Sequence, residues 1–335
     1  MRYNARMQTR PLGKNGPTLS ALGLGCMALS GAYGAADRAE SIATIHAALD
    51  AGITLLDTGD FYGMGHNELL LREALQGRDR SKVFIQVKFG AQRGPDGPYL
   101  GFDGRPAAVK TALAYTLQRL GTDYVDLYQP ARLDPAVPIE ETVGAIAELV
   151  QAGYVRHIGL SEMGVATIRR AAAVHPIAQL QIEYSLLSRG IEKEILPVVR
   201  ELGIGITAYG VLSRGLIGRN AGKRPAGNDF RAHSPRWQGE NLQHNLALVE
   251  RLRAIAAEKG ATEAQLAIAW VLSRGEDILP LIGAKTRSQL AESLGALDVH
   301  LSAEELRRIE EAVPADAVAG ARYPEAGMRT LDSER

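Results

Sequence analysis

Residues 37–58 read DRAESIATIHAALDAGITLLDT, and the change of pattern at Gly52 decides the fold. Up to Asp50 the stretch reads as a capped helix. Asp37 is the expected N-cap, and Glu40 stands in the capping-box position. Gly52 supplies the left-handed stop on which helices commonly end. The run that follows, ITLLDT, is too short and too continuously apolar for a second helix, so it reads as a buried strand. The same phrase recurs: QAG precedes YVRHIGLS at 154–161, and ELG precedes IGITAYG at 204–210. Another clear helix is PIEETVGAIAELVQAG, with Pro138 in its first turn and Ile139, Val143, Ile146 and Val150 on one face.

Working outward, eight strands emerge: ALGLG (21–25), ITLLD (53–57), KVFIQVKF (82–89), YVDLY (124–128), YVRHIGLS, AQLQIEY (178–184), IGITAYG and ILPLIGA (278–284). A helical pattern separates each successive pair, which implies a parallel sheet. Eight such units in 335 residues predict an α/β fold of the (β/α)8 TIM-barrel type. No GxGxxG follows the first strand, which argues against an open dinucleotide-binding sheet. The leading QTRPLGKNGPTLSAL (8–22) suggests an N-terminal hairpin, and 262–275 and 302–313 suggest additional C-terminal helices. The expected organisation is one barrel domain over 8–315, an N-terminal extension over 1–7 and a loose C-terminal tail over 316–335.

Lys+Arg and Asp+Glu balance at 38 each, so no net field recruits nucleic acid or an anionic membrane. The single cysteine, Cys26, excludes an internal disulfide framework and suits a reducing compartment. With no signal-like start and no membrane-length apolar run, a cytoplasmic location is expected.

Barrel active sites lie on the loops after the C-terminal ends of the strands. The second strand empties into LLDTGDFYGMGHNE and the third ends in VKFG, so Asp57, Tyr62 and Lys88 should come from adjacent strand ends. A phenol with an ordinary pKa of about 10 is a poor acid at neutral pH. An ammonium held beside it by a carboxylate stabilises the phenolate. The bland alternative is a buried Lys–Asp pair beside a packing tyrosine. No His/Asp cluster at strand ends suggests a metal-dependent hydrolase.

The motifs LGLGCM, LLDTGDFYG, GHNELLLREAL, QVKFG, GTDYVDLYQ, GYVRHIGLS, QIEYSLLSR, ITAYGVLSRGL and IGAKTRSQLAES occur in the order found in the aldo-keto reductases, and the chain resembles that family from about Thr9 to Leu297. The resemblance implies NADPH-dependent reduction of a small-molecule aldehyde or ketone, without metal. It makes Tyr62 the general acid, Lys88 the residue that lowers its pKa, and Asp57 the residue that positions Lys88. At the end of the fourth strand the family usually carries a histidine that orients the carbonyl; DLYQPARLD (126–134) places Ala131 there. Nearby Gln129 or Arg132 could offset part of that loss, although an Arg132–Asp134 structural pair is the simpler expectation. The departure leaves two readings open, a reductase or an NADP(H)-binding regulatory or redox-sensing subunit with little turnover.

For the cofactor, the resemblance assigns Gly25, Cys26, Met27 and Asp57 to the nicotinamide side, Ser161 and Gln181 to its carboxamide, and Tyr209 to stacking on the ring. Glu162 replaces the usual asparagine. The loop Gly210, Val211, Leu212, Arg214, Gly215 and Leu216 should follow the pyrophosphate. Gly283, Lys285, Arg287, Gln289 and Glu292 should hold the adenine end. Two cations at a helix start suit a 2′-phosphate and so favour NADPH. The segments 89–105 and 219–240 read as long loops, the second as a lid. Phe61, Phe89, Tyr33, Tyr99, Phe102 and Trp237 are candidate pocket walls.

Overall fold

The computed structural model describes residues 7–14, 16–97, 99–219, 221–223, 225 and 229–335. An antiparallel pair, β1 (Thr9–Pro11) and β2 (Thr18–Ser20), precedes the first barrel strand, β3 (Gly23–Gly25). Then come α1 (Arg38–Asp50), β4 (Leu55–Gly59), α2 (His66–Ala74) and β5 (Phe84–Phe89). A second antiparallel pair, β6 (Ala91–Arg93) and β7 (Tyr99–Phe102), rises from β5 before α3 (Pro106–Leu120). The alternation resumes with β8 (Val125–Pro130), α4 (Ile139–Gln151), β9 (Val155–Ser161), α5 (Val165–Val174), β10 (Ile177–Glu183), α6 (Ile195–Glu201) and β11 (Gly205–Tyr209). Helices α7 (Gly239–Glu258) and α8 (Glu263–Ser273) lead to β12 (Ile278–Gly283). Helices α9 (Arg287–Leu294), α10 (Ala303–Ala312) and α11 (Glu325–Met328) close the chain.

Strands β3, β4, β5, β8, β9, β10, β11 and β12 pair in parallel, in that order, and β12 returns to β3. This is the (β/α)8 barrel that the alternation predicts. Strands β4, β5, β8 and β10 are buried at every position, because their outer faces meet helices and their inner faces meet one another. That double burial is why they read as continuous apolar runs rather than alternating ones. At α1 the Asp37 side chain accepts from the Glu40 amide, as a cap should. The capping box does not form, however, since the Glu40 carboxylate is drawn to Arg287 across the barrel seam (2.8 Å).

The N-terminal hairpin closes the barrel floor. Leu12 and Leu19 pack with Leu55, Phe84, Leu127, Ala178, Leu279 and Leu281 in a cluster separate from the main strand–helix core. Arg10 ties the hairpin down by donating to the carbonyls of Leu272, Gly275 and Ile278 at 2.7–3.0 Å. Gly205 has to be small, because a Cβ there would sit 2.5 Å from the Gly13 nitrogen.

Two expectations are corrected. The stretch after β5, read as an irregular loop, contains the β6–β7 pair. Residues 316–335, read as loose, are packed across the mouth: Asn245 Nδ2 donates to the Ala319 carbonyl, Arg236 Nε to the Gly320 carbonyl, and the Gly164 amide to Asp332 Oδ2 (2.7 Å). Of the expected N-terminal extension, residues 1–6 lie outside the described residues, and Met7 packs against the core.

Leu12 is fully buried at the floor. Leu12→Ala should lower unfolding stability by about 2–5 kcal/mol, read by denaturant titration. A loss under ~1 kcal/mol would show that the floor does not depend on this side chain.

Candidate active site

At the C-terminal rim, β4 and β5 are in register with Asp57 opposite Gln86 and Gly59 opposite Lys88. Lys88 Nζ lies 2.6 Å from Asp57 Oδ1, with both side chains buried. The same oxygen accepts from Gln86 Nε2 (2.8 Å) and, across the barrel, from Gln181 Nε2 (2.7 Å). The Tyr62 ring is buried, packs edge-on to Phe61, and has Lys88 Nζ 5.0 Å from its centroid. The structure therefore brings Asp57, Tyr62 and Lys88 together.

Their electrostatics differ from the expectation. The Tyr62 phenol is pushed well above its ordinary value, first by burial and then by the charge of Asp57 and by Tyr33, while Arg132 pulls it down. Burial lowers the Lys88 pKa, against the opposing effect of Asp57. Lys88 neutralises Asp57 more directly than it activates the phenol.

Ala131 is buried at the end of β8, its amide bonded to the Phe89 carbonyl (2.8 Å). No histidine compensates at this rim among the described residues. His66 Nδ1 is 2.9 Å from Ser30 Oγ at the start of α2, and His157 lies within β9 against Phe84. The expected Arg132–Asp134 pair does not form. Asp134 accepts from the amides of Gly104 and Ala136, while Arg132 donates to the Ala131 carbonyl (2.6 Å) and to the Tyr323 hydroxyl (3.3 Å).

Along the cofactor track, Ser161 stands at the end of β9, where its buried Oγ has no hydrogen-bond partner. Gln181, expected at the carboxamide, is engaged with Asp57. Tyr209 donates to Glu162 Oε1 (2.7 Å), and its hydroxyl lies 2.9 Å from that of Tyr323. Gly25 ends β3, Cys26 is buried beside it with its thiol pushed up by burial, and Met27 is half-buried. In the 210–216 loop, the amides of Ser213, Gly215 and Leu216 close turns onto Gly210, Leu212 and Ser213. Arg214 is held by Glu183 (2.9 Å) and by the Arg322 carbonyl. Val211 and Leu216 are buried. At the adenine end Gly283 is exposed, Gln289 accepts from the Lys285 amide (2.8 Å), and Glu292 pairs with Arg219 (3.1 Å) while its Oε1 is without a partner. Arg287 pairs with Glu40, whereas among the described residues Lys285 Nζ donates only to the Tyr33 and Ala35 carbonyls (2.9 and 3.4 Å). The expected lid over 219–240 lies partly outside the described residues. Its described part is pinned by the Arg231–Asp229 pair.

The sequence reading missed the C-terminal contribution. Arg322 pairs with Glu162 (2.9 Å), Glu183 (3.2 Å) and Glu334 (2.6 Å), and Ser333 Oγ donates to Glu162 Oε2 (2.5 Å). Burial alone would raise the Glu162 carboxyl, but Arg322 and its hydrogen bonds hold it at about 2. The signal was Glu162 itself, a charge at the usual place of a neutral amide. Among the described residues no group of His, Cys, Asp and Glu side chains could hold a metal ion.

These features define a barrel oxidoreductase with its polar groups gathered at one rim. The model of the aldo/keto reductase family matches residues 21–314, and the chain belongs to that family. It is 47% identical over 324 residues to "Probable aldo-keto reductase 1" of Glycine max, covering 95% of this chain and 92% of that one. Among solved structures it resembles the glycerol dehydrogenase AKR11B4 from Gluconobacter oxydans (TM-score 0.82, 29% identity, 92% of this chain and 95% of that chain). It also resembles the aldo-keto reductase AKR11C1 from Bacillus halodurans in its holo form (TM-score 0.76, 29% identity, 92% and 97%). The protein is thus an oxidoreductase of a family that reduces carbonyls with nicotinamide cofactors.

Asp60, just beyond β4, carries a carboxyl pushed up to about 7, first by burial and then by Glu68, with Arg119 opposing. The folded state therefore holds this proton more tightly than the unfolded chain, whose aspartate titrates near 3.9. Stability should fall as pH rises from about 4 to 7 and stay reduced above that window. Asp60→Asn should accordingly be more stable than the parent at pH 8, by on the order of 2–4 kcal/mol, with the gap closing near pH 4. An equal gap at both pH values in thermal melts would show that Asp60 does not titrate in this window.

Proposed function

We propose that the protein reduces aldehydes or ketones with NADPH in the cytoplasm, with Tyr62 as proton donor and Lys88 and Asp57 as its support. The observation that carries this reading is the Asp57–Lys88 contact at 2.6 Å beside the buried Tyr62 ring. The phenol is protonated at neutral pH, the form that a proton donor requires, although burial makes it a weaker acid than a free tyrosine. NADPH, when bound, supplies the hydride. In reduction the carbonyl carbon takes that hydride and the oxygen takes the Tyr62 proton, so the two additions balance.

The site's residues fit such a cofactor. Ser161 offers a buried hydroxyl without a protein partner at the carboxamide position, and Glu292 offers a free carboxylate oxygen at the adenine end. Lys285 supports NADPH over NADH because, among the described residues, its ammonium hydrogen-bonds to carbonyls and to no carboxylate, which leaves charge for a 2′-phosphate. Arg287 has to exchange Glu40 for that phosphate, so it contributes less than its position suggested. A second reading, a cofactor-sensing subunit with little turnover, draws its support from Ala131, which offers the carbonyl no donor. NADPH fluorescence titration followed by a carbonyl substrate screen separates the two. Binding without turnover of any substrate selects the sensor.

Tyr62→Phe should remove about 99% or more of turnover while NADPH binding persists, because the phenol supplies a proton rather than a cofactor contact. Turnover at the parent rate would remove Tyr62 from the chemistry. Lys285→Ala should weaken NADPH about 10-fold or more and change NADH by less than about 3-fold, as expected for one charge-assisted phosphate contact. Equal losses for both cofactors would take Lys285 away from the 2′-phosphate.

A further inference from the structure

Four of the arginines at the barrel mouth are matched to carboxylates. Arg214 and Arg236 face Glu183, Arg322 joins Glu162, Glu183 and Glu334, and Arg231 is held by Asp229. Arg132 is different. It is half-buried, and among the described residues its hydrogen bonds go only to the Ala131 carbonyl (2.6 Å) and the Tyr323 hydroxyl (3.3 Å). Its guanidinium also stands 5.9 Å from the centroid of the Tyr323 ring, and Glu162 acts on it from beyond ion-pair distance, opposed by Arg322. Among the described residues no carboxylate touches it directly, and Asp134, two positions on, is occupied by backbone amides.

The position gives this charge a use. The Ala131 amide is fixed to the Phe89 carbonyl, so Arg132 stands at the end of β8, next to the strand that carries Lys88. The Tyr323 hydroxyl that it touches is 2.9 Å from Tyr209, the residue expected against the nicotinamide. Its field reaches the phenol of Tyr62, which it pulls down, and that of Tyr99 on β7, which it also pulls down. Tyr99, near enough to feel this charge, is an exposed large side chain on β7. A guanidinium withdrawn from water is costly unless an anion satisfies it, and its planar fork suits a carboxylate or phosphate.

We propose that Arg132 is the specificity-determining residue of this site, and that the preferred substrate is a carbonyl compound bearing an oxyanion, a carboxylate or a phosphate, which Arg132 binds while the carbonyl meets Tyr62. The inference rests on the reductase reading and adds a substrate class to it. It also supplies what Ala131 lacks. A substrate tethered at its anionic end is oriented at a second point, and fixing orientation is one of the larger contributions that an enzyme makes to rate. The side chain is short at 131 and charged at 132, so the carbonyl is positioned by its far end rather than by a donor on its own oxygen.

The test compares para-carboxybenzaldehyde with benzaldehyde and with the uncharged para-carbamoylbenzaldehyde, and glyceraldehyde phosphate with glyceraldehyde. Wild-type kcat/KM should favour the charged member of at least one pair by about 10–100-fold, the range of a charge-assisted hydrogen bond, and the pair that shows it identifies the anion. In Arg132→Gln the charged-to-neutral ratio should fall to about 1, mainly through KM, and Arg132→Lys should restore part of it. Thermal melts establish that both variants are folded. A wild-type ratio near 1 in both pairs, or a ratio unchanged in Arg132→Gln, overturns the proposal. Affinities of the same aldehydes for the NADP+-saturated protein separate it from the reading beneath it. Charge-selective binding lost in Arg132→Gln, with no turnover, supports Arg132 and overturns the reductase. Turnover without charge-selective binding does the reverse.

Discussion

The site hangs on one oxygen. Asp57 Oδ1 accepts from Lys88, Gln86 and Gln181, and these donors come from two strands, β5 beside Asp57 and β10 across the barrel. Inward-facing side chains of a closed barrel converge, so residues far apart in sequence can share one acceptor. The gain is rigidity: the carboxylate cannot rotate without leaving an ammonium and two amides buried and unmatched. Each such loss carries a desolvation penalty, largest for the ion. The same anchor constrains the cofactor side, because a Gln181 amide turned toward Asp57 has committed one of its two N–H donors there.

A second polar layer lies above the first. Glu162, just after β9, and Glu183, at the end of β10, are buried carboxylates on neighbouring strand ends. Arg322, on the C-terminal segment, reaches both, and Arg214 reaches Glu183. Burying an ion costs several kcal/mol, and this is compensated only when good partners are in place. The C-terminal segment is therefore part of the barrel mouth: without Arg322, Glu162 would lose the cation that hydrogen-bonds to it and keep only the more distant Arg132. Glu162 sits in left-handed backbone, φ 54°, and its amide donates to the Gln181 carbonyl at 3.0 Å. The lower layer, the upper layer and the C-terminal segment are thus joined at β9 and β10.

The contrast between these layers explains what the sequence discloses. Strands such as ITLLD and KVFIQVKF are legible because double burial imposes a local composition, and helices such as 138–153 because one face is apolar. Asp57, Tyr62 and Lys88 are legible because they lie at strand ends whose order the alternation already dictates. Arg322 with Glu162 is not, for an ion pair spanning 160 positions leaves no periodic trace. The same limit applies to Arg287. A cation at a helix start reads as a phosphate site, while its partner Glu40 reads as a local cap some 247 positions earlier. The Arg132–Asp134 expectation failed for the opposite reason. Proximity in sequence suggested a pair, but the turn that places Asp134 against the Gly104 and Ala136 amides satisfies the carboxylate with backbone donors, which are already fixed and lose no side-chain entropy on bonding.

Charge balance at the rim then determines how the phenol is tuned. Asp57 and Lys88 form a nearly neutral pair, and from the phenol's position a neutral pair is a dipole whose effect falls quickly with distance and direction. Such a pair holds geometry well, and what the phenol feels of it is the Asp57 charge, which raises its pKa further. Burial, which disfavours phenolate, meets no strong opposition from it, and the Tyr62 proton is held tightly. The Glu162–Arg322 and Glu183–Arg214 contacts likewise cancel much of their own charge. Arg132 is the mouth cation with no carboxylate at ion-pair distance among the described residues, Glu162 acting on it only from farther off, so much of its field is left for a substrate anion and the Tyr62 oxygen. An anion bound there would offset that field and leave the phenol more firmly protonated, the state needed to give a proton to a carbonyl. The opposite reaction, which begins by taking a proton onto Tyr62, would be opposed by the same anion. One residue at the end of β8 thereby links what the site binds to the direction in which it works.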